Sequence, residues 1–124
     1  MPRGGTVLLV DDELIVRNSS RRLLEQRDFT VLCAGDGQEA VEVFRERKDE
    51  IRFVMLDLVM PIMGGEETYH ALRQIDDNVK VVIVSGYAAD QKADEILAAG
   101  ADCFLQKPYD ALTLNEAISK LLAG

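Results

Sequence analysis

Short apolar runs alternate with amphipathic segments along this chain. Five of the runs are rich in β-branched or aromatic residues, which is typical of strands buried on both faces of a sheet. They cover residues 6–10, 30–34, 53–56, 81–84 and 103–105. Each run is followed by a segment whose apolar residues recur at helical spacing. Five strand–helix units in series predict an α/β fold with a parallel sheet covered by helices on both faces.

Each predicted helix has an apolar stripe, and two helices have recognisable ends. The first helix is predicted from about residue 13 to residue 27. The stripes consist of Val16, Leu23 and Leu24; Ala40, Val41 and Phe44; Thr68, Ala71, Leu72 and Ile75; Ala93, Ile96 and Leu97; and Leu114, Ala117, Ile118 and Leu121. Asp36 and Glu39 have the spacing of a capping box at the start of the second helix. Gly100 is predicted to cap the end of the fourth helix.

Composition and charge favour one soluble domain. The chain has 124 residues, of which 48% are hydrophobic and 29% charged, as expected of a single globular unit. We expect residues 1–5 to form a short disordered tail and residues 6–122 to form the domain. A formal net charge of −8 disfavours direct binding to nucleic acid or to an anionic membrane.

Features of export and membrane insertion are missing from the sequence. No apolar run approaches the roughly 18 residues needed to span a bilayer. The first residues lack the pattern of a signal peptide, so a cytoplasmic location without membrane insertion is predicted. Cys33 and Cys103 lack metal-ligand spacing and lie in or beside strands, which predicts buried, reduced thiols.

Polar residues that can carry chemistry follow four of the five strands. Asp11 and Asp12 follow the first strand, Asp57 closes the third, Ser85 closes the fourth, and Lys107 lies just past the fifth. The carboxyl ends of parallel strands form the edge of the sheet where ligands bind in open α/β folds. The spacing therefore predicts a functional site at that edge.

Each of these residues also has a simpler interpretation. Asp11 or Asp12 could cap the first helix, but adjacent carboxylates repel and only one can cap, whereas Mg²⁺ would account for both. Asp57 is harder to explain structurally, because aspartate is depleted in strands and nearby charges raise its pKa unless a cation offsets them. Ser85 alone would be a turn residue and Lys107 alone a solvated surface lysine. Their coincidence at one sheet edge favours a shared site.

Four motifs, in this order and at this spacing, resemble the signatures of the receiver domain of two-component response regulators. They are Val10-Asp11-Asp12-Glu13, Leu56-Asp57-Leu58-Val59-Met60-Pro61, Val84-Ser85-Gly86-Tyr87 and Gln106-Lys107-Pro108-Tyr109. The resemblance covers the chain from Thr6 to Leu122. It implies a doubly wound, flavodoxin-like (βα)5 three-layer sandwich whose parallel sheet has the order 2-1-3-4-5.

The resemblance also implies roles for individual residues. Asp57 would accept a phosphoryl group from a phosphohistidine of a histidine kinase or a histidine phosphotransfer domain. Asp12, Asp57 and the backbone carbonyl of Val59 would ligate Mg²⁺ or Mn²⁺, and Asp11 would act mainly through water. The family is regulatory, assisting only its own phosphorylation and dephosphorylation, and passes its signal to a downstream protein or a fused domain.

The residue types suit this chemistry independently of the family. A carboxylate nucleophile forms an acyl phosphate, and Mg²⁺ relieves the repulsion between carboxylates and an incoming phosphoryl group. Lys107 supplies a second, mobile positive charge, and the Ser85 hydroxyl can donate to a phosphoryl oxygen. No general base is needed, because a carboxyl such as Asp57 is ionised near neutral pH.

Four further expectations depend on the resemblance. Ser85 and the aromatic Phe104 would form a switch that alters the surface of the fourth helix, fifth strand and fifth helix; alternatively, Phe104 is an ordinary core residue. Val59 and Tyr87 would flank the path of the hydrolytic water and give a long-lived phosphoryl group; alternatively, both merely pack at the rim. Pro108 would follow a cis peptide bond. Gly64-Gly65 stands where receivers commonly carry Asp-Gly, which leaves the rigidity of the 61–65 loop open.

Three alternatives remain open at this point. A phosphohydrolase of the haloacid-dehalogenase type would place its nucleophile after the first strand and a second Asp two residues later, where this chain has Glu13. A pseudo-receiver would keep the fold as a binding module but should have lost Asp57, Lys107 or the acid pair. The chain could be a stand-alone regulator or the receiver of a hybrid sensor histidine kinase. His70 is predicted to be a surface residue.

Overall fold

The computed structural model describes residues 5–60, 63–86 and 91–123, which form five strands and five helices in strict alternation. The elements are β1 (Gly5–Val10), α1 (Leu14–Glu25), β2 (Phe29–Ala34), α2 (Gly37–Arg47), β3 (Ile51–Asp57), α3 (Gly65–Ile75), β4 (Val81–Ser85), α4 (Gln91–Ala98), β5 (Cys103–Gln106) and α5 (Ala111–Ala123). All strand pairs are parallel, and the sheet order is β2-β1-β3-β4-β5. The predicted doubly wound fold is confirmed.

Alternation along the central strands divides the core between the two faces of the sheet. Leu8 and Val10 pack on the face covered by α2, α3 and α4, whereas Val7 and Leu9 pack on the face covered by α1 and α5. Successive side chains of a strand point to opposite faces, so each central strand contributes to both cores. This arrangement gives the three layers that the sequence pattern predicts.

Several element boundaries differ from those predicted. β3 begins at Ile51 rather than at residue 53, because a bulge lets the exposed Arg52 interrupt the apolar run without ending the strand. α1 ends at Glu25, and Asp28 then takes a left-handed conformation with φ 67°, which terminates the helix. β1 begins at Gly5, whose φ of +87° suits glycine.

Both predicted helix ends are present. Asp36 Oδ1 accepts a hydrogen bond from the Glu39 backbone N–H at 2.9 Å, while the Glu39 carboxylate accepts one from the N–H of Gly35, one residue before the cap. Gly100 has φ +125° and ends α4 together with Ala101, whose N–H donates to the Ile96 carbonyl, in a Schellman pattern.

The two cysteines are less buried than predicted. Cys33 and Cys103 are free thiols but only half-buried. Burial nevertheless raises the pKa of each, which makes them poor nucleophiles.

His70 is exposed on α3, as predicted. No helix in the described part of the chain is long and apolar enough to cross a membrane.

Candidate phosphoacceptor and cation site

The carboxyl edge of the sheet brings three of the predicted residues into direct contact. Lys107 Nζ lies 2.8 Å from Asp11 Oδ2 and 3.2 Å from Asp57 Oδ2. Asp11 and Asp57 are each 4% exposed, and only 16% of the Lys107 side chain is exposed. Lys107 is therefore not the solvated surface lysine that its position alone would suggest.

Neither member of the acid pair caps α1. The N-cap residue is Glu13, and no side chain makes a capping hydrogen bond there. Asp11 Oδ1 instead accepts from the Glu13 backbone N–H at 2.9 Å, and its other oxygen faces Lys107. Asp12 is exposed beside the buried Asp11. The capping interpretation of this pair is therefore wrong.

Burial dominates the electrostatics of Asp57. It raises the pKa of this carboxyl to about 6, against the lowering effects of the Val59 backbone N–H, 3.2 Å from Oδ1, and of Lys107. Burial also acts to lower the pKa of Lys107, but the hydrogen bond to Asp11 and the charge of Asp57 outweigh it, and the net shift is upward. Lys107 is therefore protonated at neutral pH, and its single positive charge faces the two buried carboxylates of Asp11 and Asp57.

The acidic residues have the geometry of a cation site. Oxygens of Asp11, Asp12 and Asp57 all lie within 4.8 Å of one another. A cleft of about 420 Å³ opens beside them and is lined by Asp12, Glu13, Asp57, Val59, Gly86 and Lys107. Such a set of carboxylate oxygens suits a hard cation such as Mg²⁺ or Mn²⁺.

The backbone links the lysine to the end of the neighbouring strand. The Lys107 N–H donates to the Ser85 carbonyl at 2.8 Å, and Ser85 is fully buried. Phe104 is half-buried and packs against the core beneath α2, α3 and α4, while the Lys107–Pro108 peptide bond is cis, as the resemblance implies. Tyr87 lies outside the described residues.

A backbone hydrogen bond joins the two ends of the segment between β3 and α3. The Gly65 N–H donates to the Leu58 carbonyl at 3.1 Å, and a Cβ at Gly65 would lie 2.5 Å from the Leu58 Cα. Gly64 is the N-cap of α3 and offers no side-chain hydrogen bond, although the Thr68 hydroxyl donates to its carbonyl at 2.8 Å. Val59 is 59% exposed at the rim of the cleft.

Two residues next to the site were given no role by the sequence analysis, although Tyr109 ends its fourth motif. Arg17 Nη1 donates to the Asp11 backbone carbonyl at 3.1 Å. The Tyr109 hydroxyl makes a short hydrogen bond with the Ser20 hydroxyl on α1. A charged residue on a surface helix and an aromatic residue in a loop are common without any function, so only the tertiary contacts indicate what these two side chains do.

Fold and site together define a doubly wound α/β protein with a lysine-paired acidic cleft at the carboxyl edge of its sheet. The chain belongs to the response regulator receiver domain family, whose profile matches residues 7–119. It is 38% identical over 117 residues to the sensor kinase CckA of Brucella abortus (strain 2308), covering 94% of this chain but 12% of the kinase. It is 34% identical to the chemotaxis protein CheY of Halobacterium salinarum, covering 95% of this chain and 97% of that protein.

Solved structures show the same likeness. The Borrelia burgdorferi CheX–CheY–BeF3–Mg²⁺ complex contains a chain that matches this one with a TM-score of 0.88 and 28% identity, over 93% of this chain and 87% of that one. The family is regulatory, and the likeness extends from stand-alone chemotaxis proteins to a segment of a much longer kinase.

Proposed function

We propose that the chain is the phosphoacceptor of a phosphorelay in which Asp57 receives a phosphoryl group from a phosphohistidine. The donor would be a histidine kinase or a histidine phosphotransfer domain. The observation that carries the proposal is the Lys107 ammonium bridging the buried carboxylates of Asp11 and Asp57, at the mouth of a cleft lined by Asp12 and Val59. We further propose residues 6–122 as the functional domain and the cytoplasm as its location.

The transfer requires one nucleophile and little other covalent chemistry. An Asp57 carboxylate oxygen attacks phosphorus, the phosphorus–nitrogen bond of the phosphohistidine breaks, and the departing imidazole nitrogen takes up a proton. With its pKa raised to about 6, Asp57 is mostly ionised at pH 7 and needs no general base. Positioning and charge stabilisation are then the principal contributions of the protein.

The acidic cluster fits Mg²⁺, or Mn²⁺ with the same donors. Asp12, Asp57 and the backbone carbonyl of Val59 would hold the ion, and Asp11 would act mainly through water. When bound, the metal supplies the positive charge that offsets the carboxylates and the phosphoryl oxygens. The presence of Mg²⁺ and BeF3 in the related Borrelia complex supports this assignment.

Lys107 and Ser85 are proposed to report phosphorylation to the rest of the domain. Lys107 would move from its carboxylate partners to a phosphoryl oxygen, and the Ser85 hydroxyl would donate to another. Because the Lys107 N–H is bonded to the Ser85 carbonyl at 2.8 Å, the two responses would be coupled. Phe104 would then shift and change the surface of α4, β5 and α5, which a downstream protein or a fused domain would recognise.

The alternatives are less consistent with the geometry. A haloacid-dehalogenase-type phosphohydrolase would use Asp11 as nucleophile with a second Asp at position 13, but position 13 is Glu, and the lining of the cleft includes Asp57 and not Asp11. A pseudo-receiver has no need for a lysine held between two buried carboxylates, an arrangement that lowers stability unless it is fully paired. The phosphoacceptor assignment accounts for all of these contacts.

The test is binding of beryllofluoride, a phosphoryl mimic. We expect binding only when Mg²⁺ is present and none in Asp57→Asn, while the exposed control Asp49→Asn binds as the wild type does. The chain contains no tryptophan, so NMR shifts or calorimetry should be used. Metal-independent binding, or full binding by Asp57→Asn, would overturn both the acceptor and the metal assignment. Absence of binding by the wild type would favour the pseudo-receiver.

A further inference from the structure

Arg17 lies behind the acid pair and does not line the cleft itself. We propose that Arg17 is a positioning residue whose guanidinium fixes the peptide between Asp11 and Asp12 and thereby aims Asp12 at the metal. The inference rests on the proposed function. Its starting observation is the hydrogen bond of 3.1 Å from Arg17 Nη1 to the Asp11 carbonyl.

Asp11 is held by contacts on every polar group. Its N–H donates to the Ala34 carbonyl at 3.1 Å, its Oδ1 accepts from Glu13 and its Oδ2 from Lys107. The carbonyl is the remaining group, and Arg17 is its partner. These contacts fix one end of the Asp11–Asp12 peptide.

Asp12 depends on that peptide for its position. In the described part of the chain its carboxylate has no hydrogen bond or ion pair, and the residue is exposed. Because a peptide unit is planar, the direction of the Asp11 carbonyl determines where the Asp12 Cα lies. A guanidinium that holds this carbonyl therefore restricts the Asp12 side chain without touching it.

The Arg17 guanidinium lies between the loop after β1 and the loop after β2. A Cβ on Gly35 would lie 3.1 Å from Arg17 Nη1, so the guanidinium rests against the glycine backbone. Gly35 is itself held by a hydrogen bond of 2.7 Å from its N–H to Glu39 Oε1. The guanidinium therefore connects the loop after β1 with the loop after β2. A lysine would keep the charge but not the planar fork.

If Arg17 positions Asp12, its removal should weaken Mg²⁺ binding. If Arg17 acts only through its charge, its removal should strengthen Mg²⁺ binding. A cation beside a metal site repels the metal, so loss of its charge alone would strengthen Mg²⁺ binding. Loss of a positioning contact would weaken binding instead, since partners behind metal ligands commonly contribute about tenfold or more to affinity. Arg21 offers a matched control, because it lies one turn later on α1 and forms an exposed ion pair with Glu25.

The experiment is an Mg²⁺ titration followed by NMR or calorimetry. For Arg17→Ala we expect the dissociation constant to rise about tenfold, with partial recovery in Arg17→Lys and no more than about a twofold change in Arg21→Ala. Gly35→Ala, which changes no charge, should weaken binding by less than Arg17→Ala. Faster hydrogen exchange at the Asp11 amide, whose N–H donates to the Ala34 carbonyl, would report the loosened segment in the metal-free Arg17→Ala variant.

A second readout separates positioning from general damage. At saturating Mg²⁺, Arg17→Ala should be phosphorylated by acetyl phosphate at nearly the wild-type rate, because Arg17 does not touch the phosphoryl group. Unchanged or tighter Mg²⁺ binding in both Arg17→Ala and Gly35→Ala would overturn the inference. Failure of the wild type to bind Mg²⁺ would instead overturn the proposed function. If Arg17→Ala does not fold, Arg17→Lys and Gly35→Ala decide the question.

Discussion

A single carboxyl group, that of Asp57, couples the site to the stability of the whole domain. Burial raises its pKa from 3.8 to about 6, so the folded state binds this proton more tightly than the unfolded state does. Stability therefore falls as pH rises between about 4 and 6, and the penalty persists at higher pH. Bound Mg²⁺ would relieve that penalty.

We accordingly expect Asp57→Asn to stabilise the metal-free protein at pH 7.5 by about 1–3 kcal/mol. The gain should shrink to a fraction of that value at pH 4, where Asp57 is protonated in the folded state and about half protonated in the unfolded state. Urea unfolding of the wild type and the variant at the two pH values measures the difference, and the titration of groups distant from Asp57 cancels between them. An equal gain at both pH values would show that the charge of Asp57 is not the cause.

Val59 and Tyr87 are expected to set the lifetime of the phosphoryl group. Val59 and Tyr87, two positions beyond Asp57 and Ser85, carry no carboxylate or amide that would orient the hydrolytic water. Replacing both, as Val59→Asn with Tyr87→Glu, should accelerate hydrolysis about tenfold to a hundredfold, or about 1.4–2.7 kcal/mol of barrier. Loss of label from the isolated phosphoprotein measures the rate. An unchanged or longer lifetime would show that these side chains only pack at the rim.

At the scale of elements, the close approach of α2 and α3 depends on one glycine. A Cβ on Gly37 would lie 2.1 Å from Thr68 Oγ1 and 2.7 Å from the Met63 carbonyl oxygen. The backbone oxygen cannot move aside as a flexible side chain can. This contact fixes α2 against the segment that leads from Asp57 into α3.

We therefore expect Gly37→Ala to destabilise the domain by about 1–3 kcal/mol through overpacking. Gly64→Ala is the matched control, since its Cβ would meet no atom within 4 Å and φ is −69° there. It should change the free energy of unfolding by less than about 1 kcal/mol, because the poor N-cap propensity of alanine opposes the entropy that alanine removes from the unfolded chain. Denaturant unfolding of both variants tests the contrast, and equal effects would show that the helix contact is not tight.

At the scale of the whole molecule, Lys107 connects the carboxylates to the end of β4. Replacing it by Ala removes a cation near the metal ligands, so Mg²⁺ binding should be unchanged or stronger. With Mg²⁺ saturating, the phosphorylated Lys107→Ala variant should lack the long-range NMR shifts around Phe104 that the wild type shows. The exposed Lys48→Ala is the control. Normal shifts in Lys107→Ala would mean that the phosphoryl group is read by other residues.

The sequence by itself determined the elements, their order and the edge at which the site forms. Runs such as 81–84 are apolar over a strand length, and the stripe Leu114, Ala117, Ile118 and Leu121 has helical spacing. These signals are local, because they reflect which side of one element is buried. Since parallel strands share their carboxyl edge, the position of Asp57 and Ser85 at strand ends was enough to predict that they converge.

Only the tertiary structure decided which groups meet within that edge. Asp11, rather than its neighbour Asp12, is buried against Lys107, and these partners are separated by 96 positions in the chain. Three further features depend on the packing of distant segments. They are the raised pKa of Asp57, the position of the Arg17 guanidinium and the need for glycine at position 37. Such contacts leave no periodic signal, because each depends on the relative placement of two elements and not on the pattern within either one.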